Sequence, residues 1–259
     1  MIFLTGDVHD FIENAWEQQK INEKSDLNSA EKYLRILEEY KLKATLFING
    51  SLLDKYPEKI RNLLKYDIEF GGHTYNNFGK MNLFKSYLNR KRFECVYGSK
   101  EYQEKDIKKT KLAFGNLGLQ MRSWRTHAFA SNEETFGILK DNEVKFVSDL
   151  LGEQIPFEKS GVMHMPINIP VDQNTIAYGE LKPENRDPFA GCTKGRIKPE
   201  EWFEILKKRI LENEKEKKPS IILIHPMTME VLDNFDLFKK IAKFLSEFES
   251  KKISGFSTK

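Results

Sequence analysis

A chain of 259 residues, 39% hydrophobic and 31% charged, can bury a full core as one large domain or two small ones. Its 42 basic and 39 acidic residues leave a net charge of +3, which excludes the strongly basic footprint of a nucleic-acid or anionic-membrane binder. Two cysteines, Cys95 and Cys192, are too few for a disulfide framework and fit a reducing compartment.

The opening "MIFLTGDVHD" has no basic region leading into a long apolar stretch, and nowhere do ~20 apolar residues run together. A cytoplasmic protein without membrane insertion is therefore expected. "IFLT" (2–5) reads as the first strand. "SAEKYLRILEEYKL" (29–42) reads as a helix capped by Ser29, with Tyr33, Leu34, Leu37 and Tyr40 on one face. "ATLFI" (44–48) is a buried strand, and "YPEKIRNLLKY" (56–66) a helix with Pro57 at its first position, where a missing N–H costs nothing. "DIEF" (67–70) is the third strand.

A helix over about 100–114 is predicted to stop at Gly115. "MRSW" (121–124) gives a fourth strand, and Ser131 with Glu134 suggests a capping box for a short helix. "VKFVS" (144–148) and "VMHMPINI" (162–169) are strand candidates. The stretch 170–197, with Pro183 and Pro188, reads as an irregular insertion. A charged helix (198–218), the apolar strand "SIILI" (220–224), a helix over 234–248 and a short final strand (253–257) complete the chain. Alternating βα units imply a parallel sheet, open or closed into a barrel, as a single domain over 1–259.

Against those strands the histidines are not scattered. His9 follows the first strand, His73 the third, His127 the fourth, and His225 ends "SIILIH"; only His164 lies inside a strand candidate. In parallel α/β folds the catalytic groups collect at the C-terminal strand ends. A single histidine there is commonly just a hydrogen-bonded structural residue, and Asp7 and Asp10 would serve equally as turn or cap residues. The coincidence of position, with Asp7 beside His9 and Arg125 beside His127, favours a site.

The order of these segments resembles the polysaccharide deacetylases, the NodB-homology or carbohydrate esterase family 4 proteins. "ATLFINGSLLDKYPEKIRNLLKYDIEFGGHTYNNF" (44–78) carries the most specific likeness. "LTGDVHD" resembles the family's first motif, "WRTHAF" (124–129) its Arg-x-Pro motif, "SDL" (148–150) its aspartate-bearing motif and "LIHP" (223–226) its closing Leu-x-His. The resemblance implies a distorted (β/α) barrel of seven or eight mostly parallel strands and a divalent metal, zinc first, with cobalt or nickel as alternatives. It implies Asp7 as general base, Arg125 as its orienting partner, His225 as general acid and Asp149 tuning His225. Leu223 would line the acyl pocket, with Trp124 and His127 beside the substrate, and His73 would ligate the metal.

Two departures mark the metal motif. The family's second aspartate, a ligand, is Val8 here, and the second histidine of His-x-x-x-His is Asn77. An amide oxygen is a poor zinc ligand beside imidazole. The expected ligand set is therefore His9, His73 and Asn77, with His9 supplying the missing imidazole.

The function these residues imply is a metal-dependent hydrolase that removes an acyl group, acetyl first, from the nitrogen of an amino sugar or nucleotide sugar used in surface glycan synthesis. The altered ligands leave a catalytically silent sugar-binding barrel as the alternative. A barrel phosphoesterase ranks below both, because such enzymes bring more carboxylates than Asp7, Asp10 and Asp149.

Overall fold

The computed structural model describes residues 1–10, 25–77, 83–93, 95–178 and 196–257. Cys192 and most of the stretch 170–197 lie outside them, as does Phe78 of the metal motif.

Eight strands form one sheet in the order β6-β7-β5-β4-β3-β2-β1-β8. They are β1 (Ile2–Val8), β2 (Ala44–Ile48), β3 (Ile68–Gly72), β4 (Ser123–Trp124), β5 (Phe146–Val147), β6 (Phe157–Lys159), β7 (Val162–His164) and β8 (Ser220–Leu223). All pairs are parallel except β6 with β7. This is the mostly parallel, distorted barrel that the resemblance implies.

Among the described residues, Asn168 bridges β7 to β8. Beyond β7 the backbone N–H of Asn168 donates to the Ile221 carbonyl at 3.2 Å. The Asn168 amide oxygen accepts from Ile221 N at 2.9 Å, and its Nδ2 donates to the Pro219 carbonyl at 2.8 Å. A side chain thus stands in for the ladder a regular strand would supply on β8.

Because side chains alternate across a strand, each central strand feeds two cores. Ile2, Leu4, Val8, Ala44, Leu46, Ile48, Ile222 and Ile224 join the large cluster between sheet and helices. Phe3, Phe47, Ile221 and Leu223 form a second, inner cluster with Met165, Ile167 and Val171. The inward series on β1 is therefore Phe3, Thr5, Asp7, then His9 at the rim. Homologous columns run to Asn49, His73, His127 and His225. The rim is where the inner core gives way to polar side chains.

The helical layer is α1 (Leu27–Glu39), α2 (Gly50–Lys55), α3 (Pro57–Leu63), α4 (Leu83–Phe93), α5 (Lys100–Asn116), α6 (Glu133–Asp141), α7 (Pro199–Lys215), α8 (Pro226–Asp233) and α9 (Asp236–Leu245). Tyr33, Leu34 and Leu37 are buried as the periodicity of α1 requires, and Tyr40 packs at the margin. No helix among the described residues is long and apolar enough to cross a membrane.

Several boundaries differ from the sequence reading. Helix α1 begins two residues early behind Asp26, leaving Ser29 buried within it. Helix α5 runs through Gly115, and Gly118, at φ +72°, follows its end. The box on α6 is made by Asn132 and Thr135, each side chain bonding the other's backbone, one residue along from the expected Ser131 and Glu134. The final strand is instead a 3₁₀ turn, Ile253–Gly255. There Ile253 N donates to Thr45 Oγ1 and Ser254 N to Glu69 Oε2, so the turn stops the barrel's lower end.

Candidate active site and metal centre

The rim brings Asp7, His9, His73, Arg125, His127 and His225 together. At its centre, His9 Nε2 lies 3.1 Å from His73 Nε2, and His127 Nδ1 lies 3.4 Å from the same atom. One ligand atom from each of the three rings falls within 4.8 Å of the others.

Tautomers follow from the far sides of the rings. His73 Nδ1 is 2.8 Å from the Arg125 carbonyl and must donate to it. His9 Nδ1 is 3.1 Å from Asp26 Oδ2 and likewise donates. Nε2 of His73 then presents its lone pair toward His9 Nε2. Burial pushes His73 down to about 3, against the pull of Asp7. Burial, then His9 and His73, holds His127 well below its usual value. Three ring nitrogens converging within 4.8 Å of one another, with His73 and His127 disfavoured as cations by burial, make a donor set that fits a divalent metal.

Asn77, expected as a ligand, donates through Nδ2 to the Asp10 carbonyl at 3.2 Å. Its amide oxygen is buried without a hydrogen-bond partner among the described residues. His127, expected beside substrate, stands instead in the nitrogen trio. It is carried on a tight turn in which Ala128 and Phe129 have φ of +52° and +54°, strain of a kind that surrounding structure must sustain. Asp149 does so, accepting from Thr126 N and Thr126 Oγ1, both at 2.6 Å.

Asp149 is therefore occupied with Thr126, and the acid on His225 is another residue. Asp172 Oδ1 lies 2.7 Å from His225 Nδ1, and Asp172 Oδ2 accepts from His225 N at 2.8 Å. Burial raises Asp149 to about 6, its bonds to Thr126 opposing.

Asp7 is the hinge between the two halves. Its Oδ1 accepts from Arg125 Nη1 at 2.7 Å, while Oδ2 stands 3.9 Å from His73 Nε2 and 3.8 Å from His225 Nε2. Burial alone would raise this carboxyl. Arg125, then His73, His225 and His9 overcome it and hold the group well below the usual carboxylate range. The fully buried Arg125 is itself satisfied, donating to Thr5 Oγ1, Ser148 O and Ser148 Oγ and lying 4.3 Å over the Phe47 ring.

Leu223 sits one layer beneath His225 in the inner core. Trp124 is a correction. It is fully buried in the outer cluster, where its Nε1 donates to Thr126 Oγ1, and no substrate at the rim can reach it. Outward parity on a two-residue strand decides this, and Arg125 takes the inward place.

Three site residues escaped the sequence reading. Asn49 ties two rims, accepting from Asp10 N at 2.8 Å and donating to the His73 carbonyl at 2.6 Å. Its position at the end of "ATLFIN" was a usable signal. Asp26 and Asp172 lie outside any periodic segment and gave none.

Residues 23–147 match the polysaccharide deacetylase family. A protein from Mycobacterium smegmatis assigned to the polysaccharide deacetylases is similar in structure, with a TM-score of 0.69 at 14% identity, over 97% of this chain and 86% of that one. A Puue allantoinase superposes with a TM-score of 0.63 at 12% identity, over 97% and 86% of the two chains. A family 4 carbohydrate esterase pseudoenzyme from Bacillus anthracis gives 0.55 at 15%, over 98% of this chain and 64% of that one. At these identities the likeness is of fold alone. No curated protein matches in sequence. The resemblance read from the motifs is supported over residues 23–147, where the chain is similar to the polysaccharide deacetylases.

Proposed function

We propose that this chain is a metal-dependent amide hydrolase that removes an acyl group, acetyl first, from the nitrogen of an amino sugar or nucleotide sugar. One observation carries the reading: the free oxygen of an ionised, buried Asp7 stands between the His73 and His225 ring nitrogens. His9, His73 and His127 would hold the metal, with Asn77 as a further oxygen donor. A divalent ion so held supplies Lewis acidity toward the acyl carbonyl and toward water.

The rest is done by the chain itself. Arg125 keeps Asp7 ionised and aims its second oxygen, so Asp7 can take the proton of an attacking water. Asp172 holds His225 with Nε2 facing the site, 3.8 Å from Asp7 Oδ2, so the proton that Asp7 takes from water can pass through Nε2 to the amide nitrogen, which then departs as an amine. The buried free Cys95 is compatible with the cytoplasmic, reducing setting proposed here.

The test is acetate release from N-acetylated amino sugars and nucleotide sugars by zinc-loaded protein. Asp7→Asn is expected to abolish release while leaving zinc bound; near-wild-type release by this variant would end the mechanism. Sugar binding by wild type without any release would favour the silent barrel, which the Val8 and Asn77 replacements and the pseudoenzyme of like fold also support.

A further inference from the structure

We propose that Asp26 is a positioning residue of the metal site, a carboxylate moved one shell outward to serve in place of the ligand that Val8 replaces. The proposal rests on the reading that His9 and His73 hold a divalent ion.

Asp26 is 17 residues downstream of His9, yet the two are joined three times. Asp26 Oδ2 accepts from His9 N at 3.0 Å and from His9 Nδ1 at 3.1 Å, and Asp26 N donates to the His9 carbonyl at 3.1 Å. An antiparallel bridge between Asp10 and Ser25 fixes the register of this return. Only 3% of Asp26 is exposed.

The bland account of this residue is a helix cap, since it occupies the N-cap position of α1. Its side chain makes no cap hydrogen bond there. The oxygen that a cap would spend on the helix is spent on the His9 backbone and ring.

Strand parity explains why the acid should stand behind a histidine. Asp7 and His9 face the rim, whereas Val8 is fully buried in the outer core. Direct ligation from position 8 is closed here, and β1 reaches the centre through the longer ring of His9. A neutral imidazole in place of a ligating carboxylate leaves a bound cation one negative charge short. Asp26 restores that charge through the ring, fixing the tautomer with Nε2 toward His73 and raising its basicity. Outer-shell acids of this kind typically contribute 10–100-fold to metal affinity.

The experiment is a zinc titration of the full chain against a competing chelator, with the ligand-field spectrum of the cobalt form as a second readout. Wild type, Asp26→Ala, Asp26→Asn, His9→Ala and the His9→Ala/Asp26→Ala double variant are compared. Asp26→Ala is expected to weaken zinc at least tenfold and alter the cobalt spectrum, with Asp26→Asn between it and wild type. In the His9→Ala background the same truncation is expected to change affinity less than twofold. Equal affinity of Asp26→Ala and wild type would overturn the proposal, as would an undiminished Asp26 effect without His9, which marks a merely structural role. If wild type binds neither zinc nor cobalt, it is the metal reading itself that fails.

Discussion

Asp172 grips His225 from two directions, one carboxylate oxygen on the ring Nδ1 and the other on the backbone N–H. That double attachment fixes both where the ring stands and which nitrogen carries its proton. Asp172→Asn is expected to lower acetate release about 10²–10⁴-fold, the usual worth of a positioned general acid, with little change in bound zinc. Asp149→Asn should act differently, loosening the Thr126–His127 turn and weakening metal retention. Steady-state kinetics beside elemental analysis separates the two; a larger kinetic loss from Asp149→Asn at full metal content would return the tuning role to Asp149.

Arg125 and Asp7 form a fully desolvated pair, and such pairs are costly to break because one charge is left uncompensated. Arg125→Met is expected to destabilise the fold by about 3–5 kcal/mol, measured by urea unfolding at pH 7. The pH dependence has a definite sign. Asp7 titrates lower in the fold than the 3.8 of the free group, so its contribution is present above pH 3.8 and is lost as pH falls below it through the folded value. Wild-type stability should therefore fall more steeply on acidification below 3.8 than that of Arg125→Met.

Asp106 carries the opposite sign. Burial raises it to about 6, although Tyr97 OH and Tyr75 N donate to its Oδ2. Stability tied to this raised carboxyl is fully present below pH 3.8 and lost as pH climbs through about 6. Asp106→Asn keeps an acceptor for both donors and cannot ionise. Its stability relative to wild type should improve by up to about 2 kcal/mol between pH 4 and pH 8. A difference that stays flat across that range would show that the buried charge carries no cost.

His127→Ala and Asn77→Ala discriminate the two candidate third ligands. An imidazole nitrogen is the better donor for zinc, and His127 Nδ1 already lies 3.4 Å from His73 Nε2. His127→Ala is expected to weaken zinc by at least about tenfold, in the range of whole-ligand loss or above that of outer-shell loss, and Asn77→Ala by less. Chelator competition reads both; the reverse order would make Asn77 the third ligand in place of His127.

How much of this was legible beforehand follows from what leaves a periodic trace. The β1, β2, β3 and β8 cores announced themselves as apolar runs, and a histidine or aspartate just past such a run has few places to go but the rim. Asp7, His9, His73 and His225 were found that way, and Arg125 by its place beside His127. The orienting acids were not, because Asp26 and Asp172 fall where the sequence shows no helix or strand periodicity that would aim them at the rim. The cap on α6 slipped by one residue because Ser131 and Asn132 are both competent caps and only backbone geometry chooses. Trp124 was assigned to the wrong face because "RSWRT" is too short to declare its parity, and the partner strands declare it instead.

The glycines of "GGH" belong to that same parity. A Cβ on Gly71 would stand 2.5 Å from Ser123 Oγ and 2.6 Å from the Phe47 ring; one on Gly72 would stand 2.5 Å from the Trp124 ring and 2.6 Å from Met121 Sδ. The two rings cannot yield cheaply, since Phe47 supports Arg125 and Trp124 fills the outer core. Gly71→Ala should therefore cost about 1–3 kcal/mol in urea unfolding, the typical penalty of overpacking. It should also weaken zinc, because displacing Phe47 moves Arg125, whose carbonyl fixes the His73 ring. A Gly71→Ala variant with wild-type stability and zinc affinity would mean that β3 yields freely, and that His73 is placed by something other than this close packing.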